Sequence, residues 1–260
     1  MKELWTEKYR PNTIKDYVFK DTNQRSQVES WITEGSIPHL LFSGGAGIGK
    51  TTLARILCNE LKIEAFDILE INASRENRIE TVRDKITNFV QMIPFGPFKV
   101  VLLDEADYLT DNAQAAFRNA IEEFASNCSF IFTCNYKNKL IDPLHSRCAV
   151  VDFTLKNNEK TQMAGQFFKR IQSILQSEKI EYDDKVIVEL IKKHFPDFRR
   201  VINELQRYSQ FGKIDGGILS HIVEVSIGDI IKYIKDKDFG AIRKWVASND
   251  IDATTFFRKI

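Results

Sequence analysis

Ten residues constrain this chain more than any other stretch: Ser43-Gly44-Gly45-Ala46-Gly47-Ile48-Gly49-Lys50-Thr51-Thr52. They fit the pattern G-x-x-x-x-G-K-[ST] and fall between a short apolar run and an amphipathic helical pattern. Glycines there let successive backbone N–H groups converge on phosphate oxygens without a Cβ in the way, and the following helix adds the positive end of its dipole. In this reading Lys50 reaches the β and γ phosphates and Thr51 sets its hydroxyl on Mg2+. Gly44, Gly45, Ala46, Gly47, Ile48, Gly49 and Thr52 complete a cradle for ATP.

The surrounding pattern supplies a fold for such a loop. Short apolar runs alternate with amphipathic stretches from about residue 37 to 153, the rhythm of an α/β domain with a parallel five-stranded sheet. The expected strands are His39 to Ser43, Phe66 to Asn72, Lys99 to Asp104, Ser129 to Cys134 and Ala149 to Phe153. The expected helices are Lys50 to Leu61, Ile79 to Val90 and Asn112 to Phe124, the last capped by Thr110 or Asp111. Beyond Phe153 the pattern turns helical over Glu159 to Ser177, Asp184 to His194 and Pro196 to Gln210. The expected organisation is a nucleotide-binding domain over 1–153, a small all-helical domain over 154–225, and the beginning of a further helical segment over 226–260.

Composition narrows the setting. The 260 residues carry 37 Lys and Arg against 36 Asp and Glu, a net charge of +1, which excludes a wholly basic nucleic-acid coat. The N-terminus has no apolar core of the signal-peptide kind, and no run approaches the ~20 apolar residues of a membrane span, so a cytoplasmic or nuclear protein is expected. Cys58, Cys128, Cys134 and Cys148 form no C-x-x-C pair, and His39, His145, His194 and His221 form no ligand-spaced cluster. Reduced thiols and structural imidazoles are the expectation.

Further chemistry follows the loop in order. The run Val100-Val101-Leu102-Leu103 ends in Asp104-Glu105-Ala106-Asp107. A carboxylate at such a strand tip suits the Mg2+ shell, hence Asp104, and Glu105 is placed to polarise an attacking water. Asn135 closes the next strand, where it either forms a turn or orients water and γ-phosphate. Arg147 in Ser146-Arg147-Cys148 and Arg199 in Phe198-Arg199-Arg200 are guanidinium groups of the kind that bind transition-state charge, or ordinary surface residues.

These pieces together resemble AAA+ ATPases, and more narrowly sliding-clamp loader subunits. Trp5-Thr6-Glu7-Lys8-Tyr9-Arg10-Pro11 resembles the W-x-E-K-Y-R-P opening of replication factor C small subunits, and Ile37-Pro38-His39-Leu40-Leu41-Phe42 the stretch before their phosphate loop. Leu69-Glu70-Ile71-Asn72-Ala73-Ser74 and Ser146-Arg147-Cys148 continue the likeness. Phe195-Pro196-Asp197-Phe198-Arg199 is most similar to the ATPase subunit of T-even-type bacteriophage loaders. The resemblance covers about residues 4 to 225. It implies an ATP hydrolase in which Arg147 is a finger acting on a neighbouring subunit's ATP, Asn135 a first sensor and Arg199 a second. Adenine lies between Tyr9-Arg10-Pro11, the stretch around Val18, and the helical lid.

The resemblance also implies partners: a sliding clamp, other loader subunits in a ring, and primer-template DNA. Ser74, Arg78 and Arg83 then face DNA phosphates, and Gln114 and Arg118 link the ATP site to DNA and neighbours; as plain residues all of these equally suit a solvated face. The connector Gln91 to Phe98 is apolar, fitting clamp docking or core packing. Two departures stand out. Gly45-Ala46 replaces a common Pro-Pro, and the family's C-terminal collar is represented only by its start, as in a truncated or split subunit. Competing expectations are another DNA-acting AAA+ motor, such as a branch-migration helicase, and a nucleotide-binding scaffold.

Overall fold

A computed structural model describes residues 3–76, 79–210, 212–216 and 233–248. Five strands form one parallel sheet in the order β2-β3-β4-β1-β5: β1 Leu40–Ser43, β2 Ile68–Asn72, β3 Lys99–Asp104, β4 Cys128–Cys134 and β5 Ala149–Asp152. Alternate residues of each strand serve opposite faces. Leu40, Phe42, Val100, Leu102 and Ile131 enter one core with helix α3, Lys50–Glu60, whereas Leu41, Val101, Leu103, Phe130 and Phe132 enter a second core under α4, Ile79–Gln91, and α5, Asp111–Glu123. With both faces covered, the inner strands β1, β3 and β4 are buried almost throughout, whereas the edge strands β2 and β5 expose Glu70 and Val150.

Position 43 begins the functional architecture. Ser43 on β1 lies in register with Cys134 on β4 and Asp152 on β5, and Leu103 on β3 with Phe132 on β4. The carboxyl ends of β3, β4, β1 and β5 therefore stand side by side, and the phosphate loop leaves from β1, between β4 and β5. Two flanking helices are not expected from the sequence: the single turn α1, Trp5–Lys8, and α2, Thr22–Glu34, the latter capped by Asp21, whose side chain accepts from Gln24 N. Phe66, expected in a strand, instead lies in a 3₁₀ turn, Ala65–Asp67, and is 78% exposed. Between β4 and β5 runs α6, Asp142–His145.

The lid consists of α7, Asn157–Ser177, α8, Asp184–His194, and α9, Phe198–Ser209. Met163, Phe167, Ile171, Ile174 and Leu175 of α7 recur at three- and four-residue spacing and are all buried. Helix α9 starts later than expected. Pro196 stays outside it because Asp197 caps it, its carboxylate accepting from Arg200 N at 3.0 Å. A two-residue parallel pair, β6 Glu181–Tyr182 with β7 Lys213–Ile214, closes the lid. Chain contacts gather Met1–Asp215 into one compact unit and Gly216–Ile260 into another, in which helix α10, Phe239–Ser248, is described.

Candidate active site

The phosphate loop is shaped by its glycines at two points. At Gly44 a Cβ would meet Phe153 Cβ at 2.7 Å, and at Gly47, with φ of +71°, it would lie 1.8 Å from Asp197 Oδ1 of the lid. Phe198 N donates to Gly47 O at 3.2 Å, so the start of α9 rests directly on the loop. Gly49 precedes α3 as its N-cap. Gly45 is different: a Cβ there meets nothing within 4 Å, which agrees with a side chain being acceptable in the Gly45-Ala46 pair.

Lys50 lies deep in this turn. Its Nζ donates to Gly44 O and Gly45 O, each at 2.7 Å, and to Asn135 Oδ1 at 3.0 Å. Burial pulls its pKa down and the Arg199 charge lowers it further, while Cys134, Asp104 and Asp107 oppose them. Thr51 Oγ1 donates to Asp104 Oδ1 at 2.7 Å. Thr133 ties the acids together: its hydroxyl donates to Asp104 Oδ1 and accepts from Glu105 N at 3.2 Å. Glu105 itself takes the left-handed conformation, φ of 58°, turning off the tip of β3 into the cleft. Asp107 Oδ1 accepts from Asn135 N at 3.3 Å, bracing the strand end that carries the amide.

One cleft collects most of the residues expected from sequence. Ala46, Gly47, Gly49, Lys50, Thr51 and Thr52 line its floor, with Asp104, Glu105 and Asn135 along one wall. Tyr9, Arg10, Pro11 and Val18 also line it, together with Arg199 of the lid. Gly44 and Gly45 enter through their carbonyls on Lys50, and Ile48 is buried in the core behind the loop. The sequence reading missed Asp16, Thr133, Phe167, Arg170 and Ile202, which also face the cleft. Arg170 donates to Asp16 Oδ1 at 2.9 Å across 154 positions, a pairing without any local sequence signature.

The cleft fits a nucleotide and its counter-ion. Nε of Arg10 and Nε of Arg170 are buried without a hydrogen-bond partner, donors that a base or ribose acceptor would satisfy. Magnesium is held by one or two carboxylates together with substrate phosphates. Thr51 and Asp104 offer such a pair of hard oxygens, and no cluster of three or more His, Cys, Asp or Glu competes among the described residues.

Other expected residues lie outside the cleft. Arg147 is on the surface, paired with Glu122 of α5. Gln114 requires a correction: it is 1% exposed and presents no side chain to a neighbour. Its amide donates to Leu109 O and Lys139 O and accepts from Ile141 N at 2.8 Å, tying α5 to the segment after β4. Arg118, one turn on, is exposed and bonds Asn119, because the buried stripe Ala113, Phe117 and Ile121 leaves it just beyond its edge. Ser74 is exposed, its N–H and hydroxyl both donating to Asn72 Oδ1. Arg78 and the Arg83 side chain lie outside the described residues. Ile93 and Phe95 of the connector are 87% and 80% exposed, and Phe66 pairs with Phe95 at 6.0 Å between ring centres. His39 is structural: Phe130 N donates to its Nδ1 and burial lowers its pKa. No helix among the described residues is long and apolar enough to cross a membrane.

Comparison with known proteins agrees with this geometry. The family model of the ATPase family associated with various cellular activities matches residues 40–156, and that of the sliding-clamp-loader large subunit AAA+ ATPase lid domain matches 159–220. The replication factor C small subunit of Methanothermobacter thermautotrophicus is 37% identical over 93% of this chain and 71% of its own length. The sliding-clamp-loader large subunit of Escherichia phage RB69 is 36% identical over 98% of this chain and 80% of its own length. Among solved structures, the Holliday junction branch migration motor RuvB of Thermotoga maritima shares the fold, with a TM-score of 0.65 at 19% identity over 84% of this chain and 72% of that one. With a phosphate loop, paired strand-tip acids and a matching lid in one compact unit, the chain belongs to the sliding-clamp-loader family of AAA+ ATPases.

Proposed function

We propose that this chain is an ATPase subunit of a sliding-clamp loader, which uses ATP binding and hydrolysis to open a ring-shaped clamp and place it on primer-template DNA. The observation that carries the reading is the convergence of Lys50, Asp104, Glu105 and Asn135 on one cleft, closed by a lid resting on Gly47. Lys50 neutralises the β and γ phosphates, Glu105 orients and deprotonates the attacking water, and Asn135 and Arg199 read the γ-phosphate. Thr51 and Asp104 hold Mg2+, which when bound offsets phosphate charge. Tyr9, Arg10, Pro11 and Val18 enclose the base.

Arg147 reaches the nucleotide of an adjacent subunit, since it lies at the surface and away from its own cleft. Hydrolysis then depends on assembly. The exposed Phe66, Ile93 and Phe95 dock the clamp, and Ser74, with Arg78 and Arg83, follows DNA phosphates without reading sequence. Arg118 faces a neighbour, whereas Gln114 acts from within by holding the segment after β4. The setting is the cytoplasm where replication proceeds, that of the host cell for a phage-encoded chain.

An ATPase assay with the partner subunits tests this directly, with clamp and primer-template DNA added separately and together. Turnover should rise most when both are present. Stimulation by branched DNA alone, with no response to clamp, would overturn the loader reading in favour of a branch-migration motor.

A further inference from the structure

Arg147 is held in an ordered arrangement that its surface position does not require. Nε donates to Glu122 Oε1 at 2.8 Å, and Nη2 donates to the same oxygen. Nη1 donates to Pro143 O at 3.0 Å and reaches Ser146 Oγ at 3.4 Å. Glu122 belongs to the last turn of α5 and Arg147 follows α6, so two separate elements fix one guanidinium. A guanidinium carries five N–H donors in a rigid planar fork. These contacts occupy its Nε edge and one side of Nη1. Nη2 has two hydrogens and one acceptor, so one Nη2 hydrogen stays free, at the tip of the fork.

We propose that Glu122 is a positioning residue for the arginine finger, bracing Arg147 side-on so that its tip is available to the phosphates in an adjoining subunit. The inference rests on the reading of Arg147 as acting in trans. Arginine is a long side chain with many rotamers, and a tip that must meet a γ-phosphate within a few tenths of an ångström gains from being oriented before the encounter. The pair is a poor candidate for a stabilising element. Glu122 and Arg147 side chains are 59% and 30% exposed, and ion pairs so open to water contribute little to folding. Removing Glu122 is therefore expected to leave the fold intact and to act on the finger.

Protomer mixing, in the presence of the partner subunits, separates the roles. Arg147→Ala keeps a complete nucleotide site without a finger, and Lys50→Ala keeps a finger without a working site. Each alone should be inactive, and a mixture should regain turnover at the mixed junctions. Adding Glu122→Ala to the Lys50→Ala protomer should then lower kcat about tenfold with KM for ATP unchanged, since loss of orientation affects the chemical step and not the neighbour's binding cleft. Glu122→Gln at the same place, which retains an oxygen acceptor, should recover most of that loss. Adding Glu122→Ala to the Arg147→Ala protomer instead should change nothing. Thermal midpoints check that each variant folds.

If the original mixture regains no turnover, the trans reading fails and the inference with it. If the mixture works but Glu122→Ala in the finger-supplying protomer leaves kcat unchanged or raises it, the trans reading stands and the bracing role is overturned. Equal losses with Glu122→Ala in either protomer would also overturn it, since they would mark Glu122 as merely structural.

Discussion

At Thr133 a single hydroxyl serves both acids of the cleft, donating to Asp104 and accepting from the amide of Glu105. Thr133→Val keeps the shape and removes both bonds, leaving Glu105 in its left-handed turn without that anchor. Turnover is expected to fall about ten- to a hundredfold through misplacement, with ATP affinity nearly unchanged, as single-turnover and equilibrium binding measurements would resolve. The glycines of the phosphate loop differ from one another in a testable way. Gly45→Ala enters open space at an ordinary φ and should be neutral or slightly stabilising. Gly47→Ala meets Asp197 at a positive φ and should cost about 1–2 kcal/mol from backbone conformation alone, with loss of the lid contact besides. Thermal denaturation and nucleotide titration of the two variants make the comparison.

At the scale of elements, the connector between α4 and β3 carries exposed aromatic surface on a buried charged foundation. Asp67 and Lys99 pair at 3.1 Å, both nearly inaccessible, and Asp67 also accepts from Gly96 N at 2.7 Å while Lys99 Nζ lies 4.4 Å from the Phe89 ring centre. Burial alone would raise the Asp67 pKa, but the Gly96 amide and Lys99 outweigh it and hold the carboxyl below its ordinary 3.8. Its stabilisation is then complete above that value and is lost as pH falls through the lower folded-state value. Lys99→Met strands the carboxylate and should destabilise the domain by roughly 3–5 kcal/mol near neutral pH, with the penalty shrinking in acid as Asp67 becomes protonated. Urea unfolding across pH checks both statements. Phe95→Ala should leave stability near wild type and weaken clamp binding several-fold, as a pull-down titration would measure.

Elements with strong periodicity were readable in advance. The β3 and β4 strands, buried on both faces, and helices α7 and α8 emerge from apolar spacing alone, and of the two candidate caps of α5, Thr110 and Asp111, the structure uses Thr110. The two-residue strands β6 and β7 are too short to leave a pattern, and α2 buries little more than Val28 and Trp31 of its own apolar side chains. Phe66 misled because an aromatic beside a strand looks like core, whereas here it is displayed. Lys50, Asp104 and Glu105 were legible because loop chemistry is local. Gln114 was misread because an amide on a helix carries no mark of which backbone groups will enclose it.

At the scale of the whole compact unit, the N-terminal segment and the lid are stitched together around the nucleotide cleft. Trp5 N donates to Gln206 Oε1 at 3.0 Å, Tyr9 Oη to Glu178 Oε1 at 2.6 Å, and Arg170 to Asp16 and to Tyr9 O. Such contacts span from 154 to 201 positions, beyond the reach of any sequence window. Arg170→Ala is expected to raise the Kd for ATP about tenfold by releasing both the segment and an unsatisfied donor at the cleft, which a fluorescent-nucleotide titration would show. The contact of α9 with Gly47 has a consequence of its own. On the proposed function, the turn that holds the phosphates is also the lid's bearing surface, so a Gly47 substitution is expected to disturb nucleotide affinity and lid seating together. In that reading the bound phosphates and the start of α9 press on opposite sides of one residue.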